Sequence, residues 1–260
     1  MIRALYTSRT GMSGQQMNLD TISNNLSNVN TDGYKKSKLQ FEDLMYQTHR
    51  SAGAETVGGN QVPSGIQIGM GVRPTSVHKI FTQGDFTKTD NNLDMAIEGQ
   101  GFFQIIRDGQ EYYTRAGSFQ RDSEGYIVTA NGDRLQPEFS IPEDATTVEI
   151  DRGGQLNALD QEGEIIASSQ ITLHNFINPA GLKAEGGNLF TPTEASGDPL
   201  ETDPGTEGVG TIAQNYLESS NVDVTEEMVD MITTQRAFEA NSKGITTADQ
   251  LLEVANQLVR

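Results

Sequence analysis

Histidine is the side chain most often used for metal binding and proton transfer, and this chain contains three, His49, His78 and His174. The three lie far apart, and the sequence contains no cysteine. None of them has the spacing to a second histidine or to a cysteine that a metal site requires. We therefore interpret each as a surface or hydrogen-bonding histidine, and the sequence predicts no metal site.

Other residue patterns that could bind a ligand or catalyse a reaction are weak. Gly99-Gln100-Gly101 lacks the Lys-Ser/Thr pair of a phosphate-binding loop and precedes a strand instead of a helix. The acidic stretch 151–162 does not have the ligand spacing of a calcium loop. Paired carboxylates would suit glycoside hydrolysis, but 36 acidic residues produce such pairs by chance, and tryptophan is absent. The sequence predicts no catalytic residue and no cofactor; a peptidoglycan hydrolase is kept as an alternative hypothesis.

Charge narrows the range of partners. The 260-residue chain carries 18 Lys and Arg against 36 Asp and Glu, a formal net charge of −18. Phosphate groups repel such a chain, so nucleic acids and anionic membranes are poor partners. Residues 46–220 hold ten basic and 25 acidic residues, whereas the two ends are nearly neutral. We expect a solvated middle and ends that make contacts.

The sequence also gives little indication of membrane insertion or of a cleaved secretory signal. No run reaches the ~20 apolar residues of a membrane span, so the sequence predicts no membrane insertion. The first residues, MIRALY, lack the uninterrupted apolar core of a cleaved secretory signal. If the protein leaves the cytoplasm, we expect a route without signal cleavage, and a chain without cysteine tolerates an oxidising compartment.

Apolar residues recur every seven positions near both ends of the chain. Such a repeat marks one stripe of a helix that is buried against another helix. With Ile22 beside the first repeat, the predicted assembly seam consists of Leu5, Met12, Leu19, Ile22, Leu26, Val224, Met231, Phe238, Ile245, Leu252 and Val259. We expect the terminal helices to pair as a coiled coil, with the middle of the chain inserted between them.

The predicted N-terminal helix, residues 1–28, is poor in charge. From Gly11 to Asn30 its only charged residue is Asp20, whereas a helix with a solvated face is normally rich in Lys and Glu. Gly11 and Gly14 each cost about 1 kcal/mol of helix stability relative to alanine. Close approach of another part of the structure would explain both glycines, so we expect the outer face of this helix to be packed too.

The middle of the chain has the pattern of antiparallel β-structure. Turn signals such as Asp108-Gly109 and Asn131-Gly132 separate short runs of β-branched and aromatic residues. The predicted fold class is therefore α+β, with terminal helices and an inserted β-rich domain. The predicted domains are a helical coiled-coil domain (1–33 with 222–260), a connecting segment (34–75 with 208–221) and a β-rich outer domain (76–207).

The connecting segment includes residues 46–65, which are rich in Gly and poor in bulky side chains. A segment of this kind cannot fold a core alone. It is either a disordered linker or an arm that a partner orders. We favour the arm.

Four motifs resemble those of one family. Residues 19–36, LDTISNNLSNVNTDGYKK, resemble the N-terminal signature of the bacterial flagellar rod and hook proteins. Residues 94–103, DMAIEGQGFF, and residues 113–119, YTRAGSF, are similar to its central signatures. Residues 220–224 and EEMVDMITTQRAFEANSKGI at 226–245 resemble its terminal helix. One departure is Asp32, where many relatives have proline, and aspartate also suits a turn.

The resemblance implies a helical, tubular homopolymer with the termini as a coiled coil lining the inner tube and the β domain outside. It implies export through the flagellar type III apparatus, a location in the basal body as a rod crossing the periplasm, and contacts with proximal rod proteins, hook proteins and surrounding bushing rings. Hook subunits of the family usually carry a further outer domain, for which this chain has no room. A rod subunit is therefore favoured, and a proximal rod subunit or a short hook subunit stays open as the alternative.

Overall fold

The computed structural model of the chain describes residues 2–53, 63–206 and 208–258. Helix α1 spans Ile2–Ser27 and helix α2 spans Val224–Leu258, with β-structure between them. The expected order of an N-terminal helix, a β-rich middle and a C-terminal helix is confirmed. Within the described residues, neither helix is apolar enough over a sufficient length to cross a membrane.

Twenty strands occur in the described residues. In chain order they are β1 Ser37–Asp43, β2 Tyr46–Arg50, β3 Ile66–Gly69, β4 Val72–Lys79, β5 Phe86–Lys88, β6 Met95–Glu98, β7 Phe103–Arg107, β8 Gln110–Thr114, β9 Phe119–Arg121, β10 Ile127–Thr129, β11 Arg134–Leu135, β12 Thr147–Ile150, β13 Gln155–Leu159, β14 Ile165–Gln170, β15 Leu173–Asn175, β16 Lys183–Gly186, β17 Leu189–Thr191, β18 Leu200–Thr202, β19 Thr211–Gln214 and β20 Tyr216–Glu218. A short 3₁₀ helix, Pro179–Gly181, precedes β16.

The chain folds into two units. The helical unit comprises residues 1–26, 37–78 and 224–260, and the β unit comprises residues 27–36 and 79–223. This division is coarser than the three domains predicted from the sequence, and the separate connecting segment stays a prediction.

The β unit is built around a seven-stranded antiparallel sheet in the order β16-β17-β8-β7-β11-β10-β9. The predicted hairpin signal at Asp108-Gly109 joins β7 to β8, and both turn residues have positive φ, 52° and 77°. A two-residue turn of this kind matches the twist of the strands that it connects. Smaller sheets complete the unit, among them β12-β13-β14 and β6-β19.

The core of the β unit lies on both faces of this sheet. Successive residues of a strand point to opposite faces. Phe103 accordingly belongs to a large cluster with Met95, Ile105 and Phe119, each fully buried. Its neighbour Phe102 belongs to a second, aromatic cluster with Tyr113, Phe176 and Phe190. The rings of the second cluster pack mainly edge to face, as the aromatic quadrupole favours.

Three passages of the chain meet within the β unit around Asn221. The Asn221 side chain accepts a hydrogen bond from the Lys36 amide at 2.7 Å and donates to the Ile80 carbonyl at 2.8 Å. The Ile80 amide in turn donates to the Lys36 carbonyl at 2.9 Å. Because of these bonds, the points at which the chain enters and leaves the β unit lie side by side.

The helical unit combines α1 and α2 with two strand pairs, β1-β4 and β2-β3. A Cβ atom added to Gly14 would lie 2.8 Å from the ring of Phe41 on β1. One added to Gly11 would lie 3.0 Å from the Asn241 side chain on α2. The two glycines therefore allow the close approaches that the sequence led us to expect.

Candidate assembly surface

The described residues of the predicted assembly seam all lie in the helical unit, and their burial differs. Ile22 is 4% exposed, whereas Val224 at the start of α2 is 41% exposed. The half-buried members are Leu5, Met12, Leu19, Leu26, Met231, Phe238, Ile245 and Leu252. Val259 lies outside the described residues. The chain alone therefore covers the seam only in part.

Hydrogen bonds between α1 and α2 involve residues other than the seam. The Asn18 side chain donates to the Thr234 hydroxyl at 3.0 Å, and Asn25 Nδ2 donates to Glu227 Oε2 at 3.2 Å. Asn25 also exchanges two 2.9 Å hydrogen bonds with the backbone of Ser37. Asn25 and Glu227 are 2% and 5% exposed. Coiled-coil pairing through the apolar seam thus stays a prediction, and sequence reasoning missed these polar contacts.

Helix α2 presents further apolar surface that adjoins the seam residue Val224. Val224, Met228 and Ile232 follow one another at intervals of four and lie on one side of the helix. Met228, Val229 and Ile232 are each about half exposed. Large exposed apolar patches are typical of interaction sites.

A groove of about 1130 Å³ lies in the helical unit where the N-terminal end of α1, the β2-β3 pair and α2 meet. Its lining is mostly apolar and includes Ala4, Tyr6, Ile68, Met70 and Leu252, with Arg3 and Gln47 as polar members. Leu252 is the seam residue that this groove incorporates. Arg3 also approaches His49, with 3.3 Å between Nη1 and Nε2.

The predicted arm, residues 46–65, begins as a strand. Tyr46 pairs with Gly69 and Gln47 with Ile68, so β2 and β3 form an antiparallel pair at its base. Every residue of β2 is exposed, and Ile66 on β3 is 48% exposed. Residues 54–62, with Val57 and Val62, lie outside the described residues.

The β unit contains a buried ionic cluster of Lys35, Arg115 and Glu218, which sequence reasoning did not identify. Glu218 Oε1 accepts from Lys35 Nζ at 2.6 Å and from the Gly84 amide at 2.9 Å. Glu218 Oε2 accepts from Arg115 Nε at 2.7 Å. Arg115 also donates to the carbonyls of Gly99 and Gly101, at 2.6 Å each. All three charged side chains are almost fully buried.

The electrostatics of the ionic cluster follow from this geometry. Burial on its own raises the pKa of the Glu218 carboxyl, but the charges of Arg115 and Lys35 outweigh burial and hold that pKa below its ordinary value. Burial lowers the pKa of Lys35 despite its contact with Glu218. A buried carboxylate with two cationic partners ties together distant parts of the chain, and its role is structural. The sequence contained one indication of this cluster, since Lys35 and Arg115 both lie inside motifs that carry the family resemblance.

Of the three histidines, His174 lies in the interior of the β unit. His174 is 4% exposed, its ring lies 5.3 Å from that of Tyr113, and burial lowers its pKa. His174 is therefore not a surface histidine, and its Nδ1 has no hydrogen-bond partner among the described residues. In the part of the chain that the structure describes, no three His, Cys, Asp or Glu side chains form a group that could hold a metal ion.

Comparison with protein families gives three matches along the chain. Residues 5–35 match the description "Flagella basal body rod protein". Residues 96–158 match "Flagellar hook protein FlgE/F/G D1 domain", and residues 213–258 match "Flagellar basal body rod FlgEFG protein C-terminal". The three matches cover most of α1, the strands from β6 to β13, and β20 together with α2. They confirm the resemblance that the sequence motifs indicated.

Full-length relatives agree with these matches. A protein of Buchnera aphidicola subsp. Acyrthosiphon pisum is 49% identical over 260 residues, covering 99% of this chain and all of the relative. One of Buchnera aphidicola subsp. Schizaphis graminum is 48% identical with the same coverage. One of Borreliella burgdorferi is 46% identical over 264 residues and covers both chains completely. All three are named flagellar basal-body rod protein FlgG.

Proposed function

The chain belongs to the flagellar basal-body rod protein family, and from this premise we propose that it is the subunit of the distal rod. It is a structural rod subunit of the bacterial flagellum, part of the basal body. In the proposed assembly, copies polymerise into a helical tube that acts as a drive shaft and passes torque from the motor to the hook.

One observation carries the proposal of self-assembly. The helical unit exposes much of its apolar side-chain surface, including the α2 patch of Val224, Met228 and Ile232. Monomeric proteins rarely expose large contiguous apolar patches. In the proposed tube, neighbouring copies cover this surface and the half-buried seam, and the terminal helices pair as a coiled coil in the inner layer.

Location and partners rest on family membership. We infer that the rod crosses the periplasm, that the subunit travels through the flagellar type III export apparatus without cleavage, and that bushing rings surround it. Proximal rod and hook proteins would meet the two ends of the homopolymer. The excess of acidic residues supports a protein that binds neither nucleic acid nor membrane.

Electron microscopy of the purified, polymerised protein tests this function. A straight, rigid tube is expected. A curved polymer would support a hook subunit instead. Imaging of intact basal bodies that places the subunit at the membrane-side end of the rod would support a proximal rod subunit. We propose no enzymatic role, and muramidase activity without ordered polymers would support the peptidoglycan hydrolase hypothesis.

The arm at residues 46–65 has a separate proposed role. We propose that it packs across adjacent subunits and stiffens the tube, because its base presents exposed side chains such as Tyr46 and Ile66. Deletion of residues 46–65 should give a curved or flexible polymer, measured as bending in electron micrographs. Replacement of the same residues by a Gly/Ser segment of equal length controls for spacing. A tube as straight as the full-length one would contradict the role.

A further inference from the structure

Four contacts join α1 to α2 along one line, and the two residue numbers in each pair add to the same value. Two are the hydrogen bonds Asn18–Thr234 and Asn25–Glu227. The other two involve glycines, since a Cβ on Gly11 would lie 3.0 Å from Asn241 Nδ2 and one on Gly244 would lie 3.1 Å from Ser8 Oγ. A constant sum means that the helices run antiparallel in a single register along this line.

The residues of three of these pairs repeat every seven positions, as a helix-pairing stripe does. On α1 they are Gly11, Asn18 and Asn25, and on α2 they are Glu227, Thr234 and Asn241, all of them polar or lacking a side chain. We call these six residues the polar ladder. The apolar seam runs beside it, with Met12, Leu19 and Leu26 each one position further along α1. The contacts along this line inside the chain are therefore polar, and most of the described seam residues stay half-buried.

A polar line and an apolar line specify register differently. Apolar side chains at seven-residue spacing pack almost equally well after a slip of seven residues. A buried hydrogen-bonding group left without its partner is costly, and a single buried polar residue can fix the register of a coiled coil. Asn25 ties the ladder to a fixed point, because its two hydrogen bonds to the Ser37 backbone hold it at the end of α1.

We propose that the polar ladder determines the register in which α1 lies on α2 and leaves the apolar seam for contacts between copies. The second half of this proposal rests on the proposed function, whereas the first concerns one chain. Asn18, Asn25 and Thr234 specify the register, with Gly11 and Gly244 providing the close approach.

The absence of native cysteine permits a direct test. The double substitution Ser8→Cys with Gly244→Cys joins the in-register pair, whose spacing is compatible with a disulfide. Ser8→Cys with Ala237→Cys, and Ser8→Cys with Leu251→Cys, report slips of seven residues in either direction. With the native ladder, mild oxidation of the full chain should cross-link only the 8–244 pair. Equal cross-linking of all three pairs would overturn the proposal.

Apolar replacement of the ladder should release the register. With Asn18→Leu and Thr234→Leu together, the ratio of slipped to in-register cross-links should rise about tenfold or more, the shift expected when a buried polar contact no longer discriminates. An unchanged ratio would overturn the proposal. Asn18→Thr with Thr234→Asn exchanges the two partners, keeps the hydrogen bond and should restore the native ratio even if the leucine variant folds poorly.

A matched control separates the ladder from the seam. Leu19→Ala with Phe238→Ala removes apolar contact from the adjacent stripe and should leave the 8–244 cross-link dominant. Sedimentation of the same variants before oxidation reports polymer formation independently. Loss of polymer with the native cross-linking pattern is the expected result and would support both the seam and the ladder. Normal polymer formation by this variant would count against the proposed seam and not against the ladder, whereas slipped cross-links in the seam variant would count against the ladder.

Discussion

The helical unit and the β unit bury their apolar residues to different extents. Among the described residues, 24 of the 27 buried apolar residues belong to the β unit, while 14 of the 20 large apolar residues that are exposed belong to the helical unit. The two units also differ in charge. The helical unit has eight basic and ten acidic residues, and the β unit has ten and 26.

This difference shows where each unit obtains its stability. The β unit has closed cores on both faces of its main sheet and a strongly charged composition that favours solution. The helical unit is nearly neutral and buries little apolar surface by itself, so we expect partners to supply the burial that stabilises most helices in proteins. Substitutions in the two units should therefore affect different measurements.

The largest expected effect is loss of assembly from the seam. Phe238→Asp or Ile245→Asp would place a carboxylate in the proposed buried contact, where desolvation costs several kcal/mol. We expect no sedimentable polymer and an unchanged melting transition of the β unit. Thr246→Asp, at an exposed position of the same helix, is the control and should polymerise normally. Normal rods from Phe238→Asp would mean that the seam is not buried.

A core substitution in the β unit should lower the stability of that unit instead of preventing assembly. Phe103 is fully buried and packs edge to face on Phe119 with 5.5 Å between ring centroids. Phe103→Ala should lower the free energy of unfolding by about 4 kcal/mol through lost burial and a residual cavity, measured by denaturant titration. Phe86→Ala, at a partly exposed position, should cost much less. Equal effects would remove the distinction between core and surface in this unit.

The ionic cluster should produce an intermediate effect. Glu218→Gln leaves Lys35 and Arg115 buried without a carboxylate, and breaking a buried ion pair in this way costs about 3 kcal/mol. Glu124→Gln, which removes an exposed acidic partner of Arg134, is the matched control. A denaturation midpoint for Glu218→Gln equal to that of the control would show that the cluster contributes no net stability.

The same cluster predicts that the stability of the β unit depends on pH. The folded state holds the pKa of Glu218 below its ordinary value, so the unfolded chain binds the proton more readily. The contribution to stability is therefore complete above the ordinary pKa of glutamate and is lost as the pH falls through the lowered folded-state pKa. Thermal unfolding of the β unit across this acidic range should show a smaller decrease in Glu218→Gln than in the native chain.

The smallest expected effect concerns an exposed charge in the β unit. Arg134 contacts Glu124 at 3.1 Å and lies over the ring of Tyr126 at 4.2 Å. Solvent screens such contacts, so Arg134→Gln should lower the free energy of unfolding by less than about 1 kcal/mol, and added salt should reduce the difference further. Arg134→Lys keeps the charge and should recover part of the loss.

The sequence predicted features that depend on local chemistry. Seven-residue periodicity located both helices, and Asp108-Gly109 predicted the β7-β8 hairpin, because periodicity and turn conformation are properties of neighbouring residues. The pairing of β2 with β3 was not predicted, since residues such as Tyr46 and Gly69 are distant in the sequence and only the fold pairs them.

The polar contacts were missed for a related reason. We read the amide-rich character of α1 as a sign of packing, and the buried Asn25 agrees with that reading. However, a partner such as Glu227, 202 positions away, cannot be identified from the residues around Asn25. Glu218 was missed in the same way, because only the fold brings Lys35 and Arg115 to one carboxylate.

The junction at Asn221 has a consequence for how this protein can be altered. Its hydrogen bonds fix Ile80, near the start of the long β segment, beside Asn221 near the end of that segment. A segment whose ends are neighbours can be exchanged or enlarged at little entropic cost to the chain that carries it. Residues 79–223 are therefore a natural site for grafting a foreign domain, because any replacement with adjacent termini would meet the same geometric requirement.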